Sequence, residues 1–454
     1  MIRLLILSSF FLFSIHKFTF AQTIAFQDVS VLSMEDENIK SNQTVIITDG
    51  VINTVGASSD VRIPRRAQVI QGDFFLMPGL AEMHAHIPPI RQGEEYQKDV
   101  LAMYMMQGVT TIRGMLGEAS HLELREKTAT GKIPGPRILT SGPSFNSNSI
   151  SNPEQAREMV REQVEAGYDL LKFHPGIGLD EFYAIVDEAR YAGIDFSGHI
   201  SYDVGLEITL ASGKGTIDHL DRYMEFLAGD AALRTDPPII YFGYDLTPHV
   251  DREKIEKAAY LTANAGVWNV PTNTLLENIF NVQNSIDDMK NWPGMDLMPA
   301  SMVENWSNFV RNFRDNEIFD EEQANQFLEI RRLLTLALHE QGAGLLLGAD
   351  APQIFNPPGY AIHRELELLL AAGLTPFEAL TTGTVNVGIY LQEQNGHGKI
   401  KEGYKADIIV LDRNPLTSIP FGNYIQGVMS NGIFYNSDDL NQMRKSILER
   451  RNSE

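Results

Sequence analysis

The sequence predicts an α/β protein, a (β/α)8 TIM barrel with a small β-sandwich domain formed by both chain ends, and three observations predict it. Between residues 79 and 399, short apolar runs alternate with stretches of helical period, the signature of a parallel sheet with crossover helices. The flanking segments, 22–78 and 400–454, are instead mostly β in pattern. Histidine, lysine or aspartate stands at the ends of several of the apolar runs, where a packed barrel core would call for Val, Ile or Leu.

The chain has 454 residues, 43% hydrophobic and 21% charged, enough for one large barrel and a smaller unit. Residues 1–21 read as a removed signal peptide. Met1-Ile2-Arg3 is a short basic start, 4–13 is apolar, and Thr19-Phe20-Ala21 offers small residues for cleavage. The apolar run is shorter than the ~18–20 residues of a membrane span, and His16 and Lys17 interrupt it. The mature chain is therefore expected to be periplasmic or secreted, without stable membrane association. The absence of cysteine removes disulfides, thiolate nucleophiles and cysteine-type zinc sites. A formal charge of −22 repels phosphate backbones and excludes nucleic acid as a partner. A small-molecule substrate is the partner expected, and assembly into a homo-oligomer stays open.

In the N-terminal part, 24–26, 29–32, 44–47, 51–55 and 68–76 read as strands, with Asp49-Gly50 a two-residue hairpin signal. Barrel strands follow at 80–86, 109–113, 137–142, 169–174, 194–199, 215–219, 267–271 and 344–350, eight in all. Helices between them include 96–107, one opening with the cap Asn152-Pro153, 180–192, 203–211 and 252–265, and 360–372 and 376–391 follow the last strand. A polar helical insertion is expected at about 275–341. Residues 400–436 return to β and pair with the N-terminal strands.

The stretch from Met77 to His86 reads as a strand ending in His84-Ala85-His86. Side chains alternate along a strand, so the two histidines share a side and can bind one metal ion together. An isolated H-x-H is equally two unrelated histidines, and the rest of the chain decides. Lys172 and His174 end the fourth strand, His199 the fifth, His219 the sixth and Asp350 the eighth. All fall on the rim where barrel enzymes build active sites.

This order of residues, introduced by Pro78-Gly79-Leu80 and closed by Gly398-Lys399-Ile400, Gly403 and Lys405-Ala406-Asp407-Ile408-Ile409-Val410, resembles the metal-dependent amidohydrolase superfamily. It is most similar to the imidazolonepropionase-like and prolidase-like branch, over nearly all of residues 23–436. The resemblance implies two divalent metal ions. His84, His86 and Asp350 hold one, His199 and His219 the other, and Lys172, carboxylated by CO2, bridges them. Read without it, Lys172 is a solvated or ion-paired lysine. Histidine and carboxylate ligands suit zinc, with manganese, iron and cobalt compatible. The sequence departs from the family pattern at Gly114, where an acid often follows the arginine, and at Ala349, where threonine is common.

The expected reaction is hydrolysis, by a metal-activated water, of an amide C–N bond in a small peptide-like or N-acyl amino-acid substrate, as in a dipeptidase. Lys172 and His199 belong to the catalytic set with Asp350, which acts as general base and then general acid. Arg113 is a candidate clamp for a substrate carboxylate, with a structural role as its alternative. His174 and Tyr202 are further substrate-contact candidates, Tyr202 as a donor to the developing oxyanion. Hydrolysis of a lactone, carbamate or phosphotriester at the same centre is the alternative within enzymes. A non-catalytic exported metal- or ligand-binding protein is the alternative outside them.

Overall fold

The computed structural model describes residues 23–233 and 241–453, so the expected signal peptide lies outside the described residues. Strands β1 (Thr23–Leu32), β2 (Ile39–Thr48) and β3 (Val51–Ala57) form an antiparallel meander. Asp49 and Gly50 both take positive φ, 51° and 74°, as the predicted hairpin turn requires. β4 (Gln68–Gln71) and β5 (Phe75–Pro78) run parallel to β1 at successive stretches of it.

The barrel begins at β6 (Leu80–Ala85), which pairs with β7 (Val109–Gly114), itself paired with β8 (Arg137–Thr140). A second parallel ladder runs through β9 (Leu170–Phe173), β10 (Asp195–Gly198), β11 (Thr216–Asp218) and β12 (Trp268–Val270). Single bridges close both seams: Ser141 with Leu170 and Phe145 with Phe173 on one side, Asn269 with Leu345 and Ala85 with Ala351 on the other. The eighth position, expected to be a strand over 344–350, is thus an extended segment without a ladder. The Leu346 N–H still bonds the Asn269 carbonyl of β12 at 2.9 Å, but two other donors turn aside: the Leu347 N–H bonds the Thr382 carbonyl, and the Ala349 N–H bonds Glu82 Oε1 at 2.7 Å.

β13 (Ile408–Leu411) pairs antiparallel with β5 and is followed by β14 (Ile425–Ser430) and β15 (Ile433–Asn436). Both chain ends therefore build one sheet, wrapped as a β-sandwich around its own core of Phe26, Val31, Ile47, Ile408 and Met429. β5 and β6 are separated by Gly79 alone, so the sandwich fixes where the first barrel strand starts.

Helices cover the outside of the barrel. Asn152 caps Pro153–Ala166 as predicted, its side chain accepting from the Glu154 and Gln155 N–H groups, and Gly167 ends that helix in the left-handed region. The 275–341 stretch forms helices Asn273–Phe280, Ile286–Lys290, Ala300–Arg314 and Glu321–Glu340. The last packs on Ile255–Ala265 and Tyr360–Ala372 and so belongs to the barrel's own ring. Helix Ser437–Arg451 returns to the barrel, where Arg451 meets the buried Asp99 of helix Glu94–Met106 at 2.9 Å. No helix among the described residues is long and apolar enough to cross a membrane.

Candidate metal centre

Beneath the barrel mouth an apolar plug of Ala81, Met83, Val270, Leu346 and Val387 fills the interior. Above it the strand ends bring polar residues together. His84 lies near the end of β6 with Asp350 on the neighbouring extended segment, and His86 Nε2 lies 2.7 Å and His84 Nε2 3.6 Å from Asp350 Oδ1. One ligand atom from each of these three residues lies within 4.8 Å of the others, close enough to share one ion.

Lys172 on β9 is fully buried, with Nζ 3.4 Å from His84 Nε2 and 4.0 Å from Asp218 Oδ2. A Cβ at position 198 would sit 2.7 Å from Lys172 Cδ, so Gly198 leaves the room this side chain occupies. His199 and His219, just past β10 and β11, stack at 4.6 Å between ring centroids, and His219 lies 4.5 Å from His84. The structure therefore gathers His84, His86, Lys172, His199, His219 and Asp350 at one rim.

Each inner histidine is held by its Nδ1. His84 Nδ1 lies 2.8 Å from Asp218 Oδ2, and His199 Nδ1 2.9 Å from Asp221 Oδ2. His219 Nδ1 lies 2.7 Å from Thr272 Oγ1. The Thr272 hydroxyl donates to the Pro271 carbonyl at 2.8 Å, so it accepts from His219 Nδ1–H. The second nitrogen, Nε2, then carries the lone pair, the tautomer a metal ligand needs.

Electrostatics point the same way. Burial, then Lys172, push the His84 imidazole down to about 3. Burial lowers His219 as well, and both rings are held neutral. Burial also pushes the Lys172 ammonium down. Burial works against the Asp350 carboxylate, yet His84 and His86 hold it well below the usual carboxylate range. Neutral imidazoles, a deprotonated carboxylate and a lysine driven towards its free amine are a donor set that fits divalent cations.

The backbone here is constrained. Asp350, His219 and Thr272 take φ values of 60°, 63° and 49°, the left-handed region uncommon for such residues. Outer helices grip these turns. The buried Arg331 donates to the His219 and Pro271 carbonyls, both at 2.8 Å. Glu365, pushed up to about 7 by burial, accepts from the Asn273 and Thr274 N–H groups at 2.9 and 2.7 Å.

Residues 75–434 match the model of the amidohydrolase family. The chain belongs to that family. Ochratoxinase of Aspergillus niger is 21% identical over 449 residues, covering 83% of this chain and 79% of the relative. A solved bottromycin amidohydrolase superposes with a TM-score of 0.73 at 21% identity, over 94% of this chain and 90% of that one. A Xaa-Pro dipeptidase with methionine in its active site superposes with a TM-score of 0.66 at 18% identity, over 92% and 100%. Family and fold are those the sequence leads one to expect, and the chain is a metal-dependent hydrolase of carbon–nitrogen bonds acting on small molecules.

Two substrate-contact candidates sit differently from expectation. Arg113 does not reach the mouth as a clamp. It is buried under the centre, donating to the Met83 carbonyl at 2.7 Å, Tyr390 Oη at 2.9 Å, Thr216 Oγ1 at 3.1 Å and Asp218 Oδ1 at 3.4 Å. It faces the barrel axis from a strand interior, so its fork is used up by the core before any ligand arrives. The Tyr202 hydroxyl is turned to the Ala232 carbonyl at 2.5 Å. His174 does lie at the centre, its ring 5.1 Å from that of His199, and its Nδ1 finds no hydrogen-bond partner among the described residues. Burial, then Lys172, lower it to about 2, so it is a neutral ring.

Asp218, Asp221 and Thr272, which orient the histidines, were not anticipated. A readable signal exists for two of them: Asp218-His219-Leu220-Asp221 places acids one before and two after a ligand candidate. Thr272, 53 residues from His219, offers no such local sign.

Proposed function

We propose that this chain is an exported binuclear amidohydrolase that cleaves an amide bond of a small peptide-like or N-acyl amino-acid substrate. The observation that carries the reading is the set of Nδ1-anchored histidines His84, His199 and His219, gathered around Lys172 and Asp350. Likeness to a Xaa-Pro dipeptidase and a bottromycin amidohydrolase supports an amide of peptide-like kind. The pattern of residues 1–21 supports export to the periplasm or beyond.

His84, His86 and Asp350 would hold one ion, His199 and His219 the other, zinc foremost, with manganese, iron and cobalt compatible. Lys172 would bridge as a carbamate: its neutral amine adds CO2, an N–C bond forms and one proton leaves. When bound, such ions lower the pKa of a water from ~15.7 to about 7 and polarise the substrate carbonyl. Asp350 takes the proton of the attacking water and hands it to the leaving amine as the C–N bond breaks. His174, neutral and with Nδ1 unpartnered among the described residues, would hydrogen-bond the substrate carbonyl group. Tyr202 can assist an oxyanion only by leaving the Ala232 carbonyl.

Elemental analysis of the purified protein, with a screen of dipeptides and N-acyl amino acids, tests the proposal. Two equivalents of metal and release of a free amino acid are expected. Turnover of lactones or phosphotriesters alone, or bound metal with no amide turnover, would overturn it.

A further inference from the structure

Between helices Tyr223–Ala228 and Ile255–Ala265 the chain forms the short strap Tyr241–His249, and Phe242 near its start is turned to the metal centre. The Phe242 ring centroid lies 5.3 Å from that of His219, tilted by 49°, and 6.3 Å from that of His199, at 20° to it. The ring is half-buried. Its contact is one-sided: among the described residues, the His84 and His86 rings meet only each other and His219. Phe242 therefore covers the two imidazoles assigned to one ion and leaves the ligands assigned to the other alone.

This placement is held against backbone strain. Tyr241, Phe242 and Gly243 take φ values of 38°, 60° and 79° in succession, a region that tyrosine and phenylalanine seldom occupy. Such a conformation persists only where the surroundings impose it, and here they do. The Tyr241 ring meets those of Phe313 and Phe309, both on helix Ala300–Arg314, at 4.6 and 6.1 Å. Gly243 lies so close to helix Tyr223–Ala228 that a Cβ would come 2.5 Å from Met224 Cβ. The Tyr244 hydroxyl accepts from the Asp320 N–H at 2.8 Å and donates to the Asp320 carbonyl at 3.0 Å, at the cap of helix Glu321–Glu340. The neighbours of Phe242 on both sides are thus tied to outer helices, while Phe242 itself is pressed towards the imidazoles.

We infer that Phe242 is a positioning residue for one half of the centre: it keeps His199 and His219 in their ligating orientation and excludes water from their side, and the outer helices serve to hold it there. The inference rests on the two-ion reading above. Thr272 and Asp221 already fix Nδ1 of the two rings. An apolar ring against them restricts the motion that remains, and an apolar shell around a metal site controls solvent access to it. The strap gives the polar helical stretch after β12 a part in the centre's chemistry although none of its side chains is a ligand candidate.

The test follows release of zinc from the fully loaded protein into an excess of a chromogenic chelator, by stopped flow. Phe242→Ala should release one equivalent about 10- to 100-fold faster than wild type and leave the other within about twofold. Phe242→Leu, which keeps apolar bulk, should restore part of the retention. Tyr241→Ala loosens the strap without touching an imidazole, and it should speed the same equivalent by less. In His199→Ala, the one remaining equivalent should leave at the same rate with or without Phe242→Ala. A general loosening of the fold would speed both equivalents, and that result, or release unchanged in Phe242→Ala, overturns the inference while two equivalents in wild type uphold the two-ion reading. A single equivalent in fully loaded wild type overturns both.

Discussion

The barrel holds two clusters of buried polar residues, one at its mouth and one at its floor, and they differ in how their hydrogen bonds close. At the floor the groups around Arg113 and Tyr390 answer one another. Tyr390 donates to Asp195 at 2.5 Å and accepts from Arg113 at 2.9 Å, Ser197 donates to Asp195 at 3.0 Å, and Thr216 donates to Asp218 at 2.7 Å. At the mouth the account stays open. Lys172 Nζ has only a histidine nitrogen at 3.4 Å and a carboxylate oxygen at 4.0 Å, and His174 Nδ1 is buried without a partner among the described residues. Buried polar groups that lack partners are costly. The floor reads as structure that stands by itself, the mouth as structure that needs something more to complete it.

The largest effect should come from Asp350→Asn, which keeps a coordinating oxygen but loses the basic one. Hydrolysis should fall about 10²–10⁴-fold while most of the metal stays bound; retained turnover in the metal-bound variant would remove Asp350 from proton transfer. Lys172→Ala should lose activity and much of its metal together. Formate or acetate at high concentration should then restore part of both by filling the vacated bridge, whereas Lys172→Arg, always charged, should not be rescued. An unmodified amine by intact-mass analysis of active enzyme, together with two metals in Lys172→Ala without added carboxylate, would leave Lys172 as a neighbouring charge only.

Within the mouth, the two halves should separate. His84→Ala and His199→Ala should each lower the metal content by about one equivalent, measured by elemental analysis, because their Nε2 atoms serve different ions under the proposed layout. Unchanged stoichiometry in either variant would contradict two sites.

The same contrast explains what could be read from the sequence. Mouth residues were legible because histidine, lysine and aspartate at strand ends break the Val/Ile/Leu pattern a barrel core requires. The floor was not. Arg113 lies on a predicted strand, but its depth depends on Tyr390, 277 residues away on helix Val385–Tyr390, and alternation gives a side without giving a depth. The eighth segment looked like its seven neighbours by composition, yet Glu82 and Thr382 take the N–H groups a ladder would have used. The polar stretch after β12 read as one insertion because only a short cap, Asp320, separates its last helix from the others: the Asp320 side chain accepts from the Gln323 N–H at 2.7 Å and starts the ring helix Glu321–Glu340.

The smallest expected effect is also the one that best tests the division between mouth and floor. Tyr390→Phe removes one hydroxyl from the closed cluster, leaving an Arg113 N–H without its acceptor and Asp195 short of one donor. Losing a hydrogen bond between buried polar groups costs about 1–3 kcal/mol, and no metal-ligand candidate touches the deleted atom. The stability loss by urea unfolding should therefore be equal in metal-loaded and metal-depleted protein, with metal content and kcat/KM unchanged. One path could break this expectation: Arg113 also donates to Asp218, and Asp218 lies 2.8 Å from His84 Nδ1. Should Tyr390→Phe lower metal affinity along with stability, the floor would be acting through Arg113 and Asp218 on the orientation of His84, and the two clusters would be one network rather than two.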